Sequence, residues 1–233
     1  MRYIVCVLIA TLASISSAQA PPTIEEFLRT KNVPNNAAAL EVALKSNDPS
    51  VRGAAAMQLS VLKVANALPA IRAALDREHD PQEMLNIARA LSSFGDPHGE
   101  VTQRLVCSNS NTSDDMRLQA AQDLSPDLGS SCIVALSRMA GASSHGSTIY
   151  AALRTLAGEH PQKAPDLGAD PTVVHAFQAG LQSDRMVTRV EAARCVAIYK
   201  AHSAAPAISA AITKEADPDT KKEMLKALNA LSQ

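Results

Sequence analysis

Small and apolar residues recur along this chain at spacings of three and four, the period of a helix that turns one face inward. The clearest stretch is "DPSVRGAAAMQL" (48–59), and its pattern returns as "DPQEMLNIARAL" (80–91) and "DPDTKKEMLKAL" (217–228). Aligning on the small Ala55 and the apolar Leu59 brings up Ile87 and Leu91, Ala120 and Leu124, Ala152 and Leu156, Ala192 and Val196, and Met224 and Leu228. Ile87 and Met224 are bulkier than alanine, so those matches are looser. Phrase starts then fall at 48, 80, 113, 145, 185 and 217, at intervals of 32, 33, 32, 40 and 32. Recurrence near one period is the signature of a repeat protein.

Each phrase predicts a helix. Asp48-Pro49, Asp80-Pro81 and Asp217-Pro218 place a capping carboxylate before a proline at the first helical position, and Asp114-Asp115 is a weaker version. A second helix follows in each unit, over "NAAALEVAL" (36–44), "ALPAIRAAL" (67–75), "SSCIVALSRMA" (130–140), "PTVVHAFQAGL" (171–181) and "AAPAISAAI" (204–212), with Gln103 at the register position of Ile71. A lone hairpin cannot bury its apolar face, so neighbours stack. The expected fold is all-α, an α-solenoid of about six antiparallel helix hairpins with one continuous core. Leu59, Ile71, Leu75, Leu91, Leu124, Leu136, Leu156, Phe177, Val196, Ile208 and Leu228 are expected in that core.

The phrase "DPSVRGAAAMQL" resembles the HEAT repeat, in its short bilin-lyase-like form, and the resemblance covers residues 36–233. The phrases at 113 and 145 are degenerate. The resemblance implies a ladder between turns, carried by Asp48 with Arg52, by Asp80, Arg117 and Arg189, and by Asp217 with Lys221. Met84 and Ile149 interrupt it. It also implies an alternative activity, attachment of a tetrapyrrole to a partner's cysteine, although shared fold alone is weak evidence for function.

Residues 21–36, with one short helix starting at Thr23, are expected to cap the open end, so the capping segment runs over 19–35. The 40-residue interval carries an insertion, "GEHPQKAPDLGADP" (158–171), which is either a binding loop or a neutral linker.

The first residues read differently. Met1-Arg2 is a positive start, "IVCVLIATLASI" (4–15) an apolar run, and "SSAQA" (16–20) a small-residue end. That is the layout of a secretory signal peptide over 1–18, and the run is shorter than the ~20 residues of a membrane span. A cut after residue 20 is the alternative, but it leaves Pro21 first, whose fixed φ hinders an extended substrate. The mature chain is therefore expected to be periplasmic or secreted, without a membrane span. Loss of Cys6 with the leader leaves Cys107, Cys132 and Cys195. Cys107 and Cys132 are the one pair to consider for a disulfide. Parallel second helices would nevertheless set them about eight residues, or ~12 Å, apart, and a bridge needs Cα atoms within ~7 Å.

Composition narrows the function. Hydrophobic residues make up 46% of the chain, which allows a full core, and formal charge is −1, which supplies no field for nucleic acid. The register of Arg72 reads Glu41, Arg72, Arg104, Ser137, Gln178 and Ser209, a mixed row and not a phosphate-tracking stripe. The six histidines form no H-x-x-x-H pair and the cysteines no C-x-x-C, so no metal or cofactor is expected. "GASSHGS" (141–147) is not a nucleophile elbow. The expectation is a non-catalytic scaffold that binds a protein or peptide on a concave face of second helices. The residues offered for contact are Glu41, Arg72, Arg104, Arg138, Gln178 and Gln182, with Lys163 and Asp166 from the insertion.

Overall fold

The computed structural model describes residues 22–158 and 165–232, and these hold thirteen α-helices and no strand. The expected leader over 1–18, the alternative cut after 20, and Lys163 lie outside the described residues. A short helix, α1 (Ile24–Thr30), comes first. The phrase helices are α3 (Pro49–Val61), α5 (Pro81–Ser93), α7 (Asp114–Leu124), α9 (Gly146–Ala157), α11 (Met186–Ile198) and α13 (Pro218–Ala230). The other layer is α2 (Ala37–Ala43), α4 (Leu68–Leu75), α6 (Pro97–Ser108), α8 (Ser130–Ala142), α10 (Pro171–Leu181) and α12 (Ala205–Lys214). All six phrase starts fall at helix N-termini. No helix among the described residues is long and apolar enough to cross a membrane.

The caps explain why the helices begin where they do. Asp48, Asp80 and Asp217 accept from the N–H of Ser50, of Gln82 and Glu83, and of Thr220. Ser113, not the Asp114-Asp115 pair, caps α7. Asp96-Pro97 and Asp170-Pro171 start α6 and α10 in the same way, so the motif marks helices of both layers. A capping box between Thr23 and Glu26 starts α1, which buries Leu28 against α3.

Six hairpins follow α1, each a second-layer helix with the phrase helix after it: α2–α3, α4–α5, α6–α7, α8–α9, α10–α11 and α12–α13; α5 also packs closely on α6, more so than on α4. Neighbouring hairpins do not stack evenly. Phrase helices α3 and α5 pack closely, as do α9, α11 and α13. Around α7 the close packing passes to the other layer, through α6, α8 and α10. Joins α5–α7, α7–α9 and α10–α12 are loose, and α4 barely touches α6. With about two turns each, α2 and α4 are too short to bridge the distance.

The core is two clusters, not one. The first joins Leu28, Leu40, Leu59, Ile71, Ile87 and Leu91. The second runs from Leu85 and Val106 through Leu136, Phe177 and Ile208 to Met224. Of the expected core residues only Leu228, on α13, is half-buried, and it packs against the edge of the second cluster. The break has a chemical cause at Gln103, which takes the register position of Ile71 and is buried with its amide oxygen 3.5 Å from Ser92 Oγ. A polar side chain there interrupts the apolar row, and the α5–α6 contact is carried instead by Leu85, which joins Val106 and Cys107 in the second cluster.

The described end of the insertion is packed. Its 3₁₀ turn, Pro165–Ala169, sets Leu167 against the second core and brings Gly168 onto the carbonyl of Tyr199, where no side chain would fit. Asp166 is exposed.

Candidate functional site

The turns hold the ladder, but with different carboxylates from those the resemblance implies. Asp48 does not meet Arg52, and Asp217 does not meet Lys221. The aspartates are occupied by their own helix ends, and Asp48 also pairs with Lys31 Nζ at 2.9 Å. Arg52 instead donates from Nε and Nη2 to Glu78 Oε2 (2.9 and 2.7 Å) and from Nη1 to Ser46 O (2.8 Å). Arg189 repeats this one hairpin from the end, to Glu215 Oε2 (2.7 Å) and Ser183 O (3.0 Å). The acceptor is the residue two before the cap of the next phrase. Its second oxygen closes the turn, Glu78 Oε1 on His79 N and Asp80 N, Glu215 Oε1 on Asp217 N. Ser46, Ser143 and Ser183 take the same place and close the turn with a hydroxyl. The spelling E-x-D-P at 78–81 and 215–218 was the signal in the sequence. Arg117 has no such glutamate ahead of it, because Ser143 stands there. It donates to two carbonyls, Cys107 O (3.1 Å) and Ala135 O (2.9 Å).

These contacts set the titration of the turns. Burial pushes Glu78 up, but the Asp80 N–H and Arg52 outweigh it, and its carboxyl lies below the ordinary range. Asp96 is also lowered, with Arg72 and His98 overcoming burial, and Arg189 lowers Glu215. Glu83 goes the other way: burial raises it, and Asn86 Nδ2 at 3.0 Å offsets only part. Lowered groups stabilise the fold above their unfolded pKa and lose that contribution as pH falls through the folded value. A raised group destabilises the fold once pH rises above its unfolded pKa. The expected result is a urea midpoint that drops as pH falls below ~4. Glu83→Gln should raise the midpoint at neutral pH and give no gain in acid. No gain at neutral pH would rule out burial as the dominant effect on Glu83.

The residues offered for partner contact divide into three groups. Arg72 is committed: its Nε holds the buried Asp96 at 2.6 Å, tying α4 to the cap of α6. Arg104, Arg138, Gln178 and Gln182 lie on α6, α8 and α10, where the second layer is closely packed, and at the end of α10. Arg104 pairs along its own helix with Glu100, while Arg138 is exposed with no ion pair among the described residues. Glu41 stands apart on α2, and Asp166 on the insertion. The same layer exposes apolar side chains that the sequence reading did not single out, Val42 (71%), Val101 (64%) and Leu105 (58%). A cleft of about 610 Å³ opens at the loose α10–α12 join, between Leu181, Gln182, Arg189, Ala207, Ala211 and Lys214. Among the described residues no group of His, Cys, Asp and Glu could hold a metal.

Cys107 and Cys132 are bridged, with Cα atoms 5.4 Å apart. The register estimate of ~12 Å fails because α6 and α8 do not run side by side in step. The C-terminal end of α6 meets the N-terminal end of α8. Cys195 is buried in α11 with its thiol directed at Leu153 O, and burial pushes its pKa well up.

The family model for HEAT repeats matches residues 36–125, which span α2 to α7. No curated protein matches the chain. Among solved structures, the crystal structure of an engineered protein from the Northeast Structural Genomics Consortium is similar, with 21% identity and a TM-score of 0.54. The alignment covers 83% of this chain and 95% of that one, and at such identity it is a likeness of fold. The chain is thus an α-solenoid, similar to HEAT repeats in sequence over its first three hairpins and to the engineered protein in fold over most of its length.

Proposed function

We propose that this chain is an exported scaffold that binds a protein or peptide partner on the exposed side of α6, α8 and α10. The observation that carries this reading is the surface of that stretch. Val101 and Leu105 stand exposed on α6, beside Arg104, with the exposed Arg138 on α8 and Gln182 at the end of α10. An apolar centre with arginine and amide neighbours is the composition of binding surfaces, where a few anchors supply most of the affinity. HEAT-type stacks present extended surfaces of this kind. Glu41 and Arg72 fall outside the patch, one on α2 and the other fixed on Asp96. Export is supported by the three-part leader and by the buried disulfide, which persists in oxidising compartments.

The test is a cross-linked pull-down from the native envelope, comparing the parent with Leu105→Glu/Arg138→Glu and sequencing the N-terminus of the recovered chain. The expected result is a partner lost from the double variant and a chain starting at Gln19. Equal recovery by the variant would remove this face, and an intact Met1 on cytoplasmic material would remove export.

A further inference from the structure

The loose α7–α9 join opens a cleft of about 510 Å³ in the phrase-helix layer, lined by Gln122, Ser125, Tyr150, Arg154 and Thr155. Two guanidinium groups meet at Tyr150. Arg154 Cζ lies 6.0 Å and Arg185 Cζ 5.7 Å from the ring centroid, and Arg154 Nη1 donates to the Tyr150 hydroxyl at 2.7 Å. Because the phenol oxygen accepts that bond, its proton is left to donate elsewhere. Arg185 is set in place over Gly146, where a Cβ would come within 3.0 Å of its Cδ.

Neither arginine has a carboxylate partner among the described residues. Arg52, Arg72, Arg89, Arg104, Arg117, Arg189 and Arg194 form ion pairs, whereas Arg29, Arg77 and Arg138 also lack one among the described residues but do not meet a second guanidinium at a ring. Glu191, whose charge reaches Arg154, is bonded to Arg194 at 3.2 Å. Two like charges against one ring repel each other, and an anion at the mouth of the cleft would relieve that repulsion. A guanidinium with free N–H groups matches a planar or tetrahedral oxyanion in two-point fashion. Around it Gln122 and Ser125 add neutral polar side chains.

We infer that this cleft binds an oxyanion, a carboxylate or phosphate group, with Arg154 and the Tyr150 hydroxyl as direct donors and Arg185 adding charge across the ring. The group comes either from a free ion or from an acidic segment of a protein, and the two are separable by experiment. The site lies in the opposite layer from the α6–α8–α10 patch, so each stands or falls without the other.

Calorimetric titration of the mature chain at low salt with inorganic phosphate, and separately with a short polyglutamate peptide, tests it. Binding of phosphate assigns a free oxyanion, and binding of the peptide alone assigns an acidic segment. In either arm Arg154→Gln should weaken binding at least ~10-fold, Arg185→Gln less, and Arg154→Lys should fall between, since lysine keeps the charge without the fork. Added salt should weaken binding in step. If neither probe binds, or if both glutamine variants bind as the parent does while keeping its helical circular dichroism, the inference is overturned.

Discussion

Replacing Cys107 and Cys132 together by alanine is expected to lower the unfolding free energy by about 3–4 kcal/mol. The bridge closes a segment of 25 residues that contains all of α7. Opening it returns that segment's freedom to the unfolded chain. Alanine is the right replacement, because both positions are fully buried and a serine would add a hydroxyl to the core. The cost falls on a helix that only α6 packs closely. Helix α7 is loosely held by α5 and α9, and its Arg117 reaches only carbonyls and the exposed Asp114. Urea unfolding of the oxidised parent against the double variant measures the difference, and thiol titration of the unfolded mature parent should count Cys195 alone. A difference under ~1 kcal/mol, or three free thiols, would remove the bridge from the account.

Arg52→Met is expected to cost about 3–5 kcal/mol, the penalty for leaving one member of a buried ion pair alone. Glu78 keeps 1% of its side chain exposed, and Arg52 is its one cationic partner among the described residues. Without the guanidinium, the carboxylate holds only two backbone N–H groups while still buried at a joint between hairpins. The loss should shrink as pH falls below the ordinary glutamate range, where Glu78 is neutral in both proteins. Adding Glu78→Gln to Arg52→Met should recover part of the stability at neutral pH. Chemical denaturation of the single and double variants gives both numbers. A single-variant cost below ~1 kcal/mol would make the pair a surface contact in effect.

How far the sequence reveals this molecule depends on which interaction sets each feature. Helix positions are local: capping by Asp48, Asp80 and Asp217 and the Ala55–Leu59 spacing are written within a few residues, and the helices start where those patterns do. Ladder chemistry is half local. Arg52 and Arg189 are visible at their register positions, but their acceptors lie 26 residues on, and an aspartate already used as a cap is the wrong acceptor. Stacking is not local at all. A fixed period assumes equal joins, and that assumption misplaced Cys132 relative to Cys107 and put Arg72 and Arg138 on one free face. Gln103 was legible as a polar residue in an apolar register. Its effect depended on α4 being too short to fill the gap, which no single position shows.

The divided core changes what a melting temperature means for this chain. Helix α5 gives Leu85 to one cluster and Ile87 and Leu91 to the other, so the halves meet along α5 and its close packing on α6. Neighbour coupling is what makes a stack of repeats melt as one body, and at this joint it runs through the α5–α6 packing, with the buried Gln103 within it, and not through one apolar core. If that contact opens before either cluster does, heat absorbed on warming divides between two transitions, and the van't Hoff enthalpy of either falls short of the calorimetric total. Arg52 sits in the first half and the disulfide in the second, so their removal displaces different parts of the thermogram.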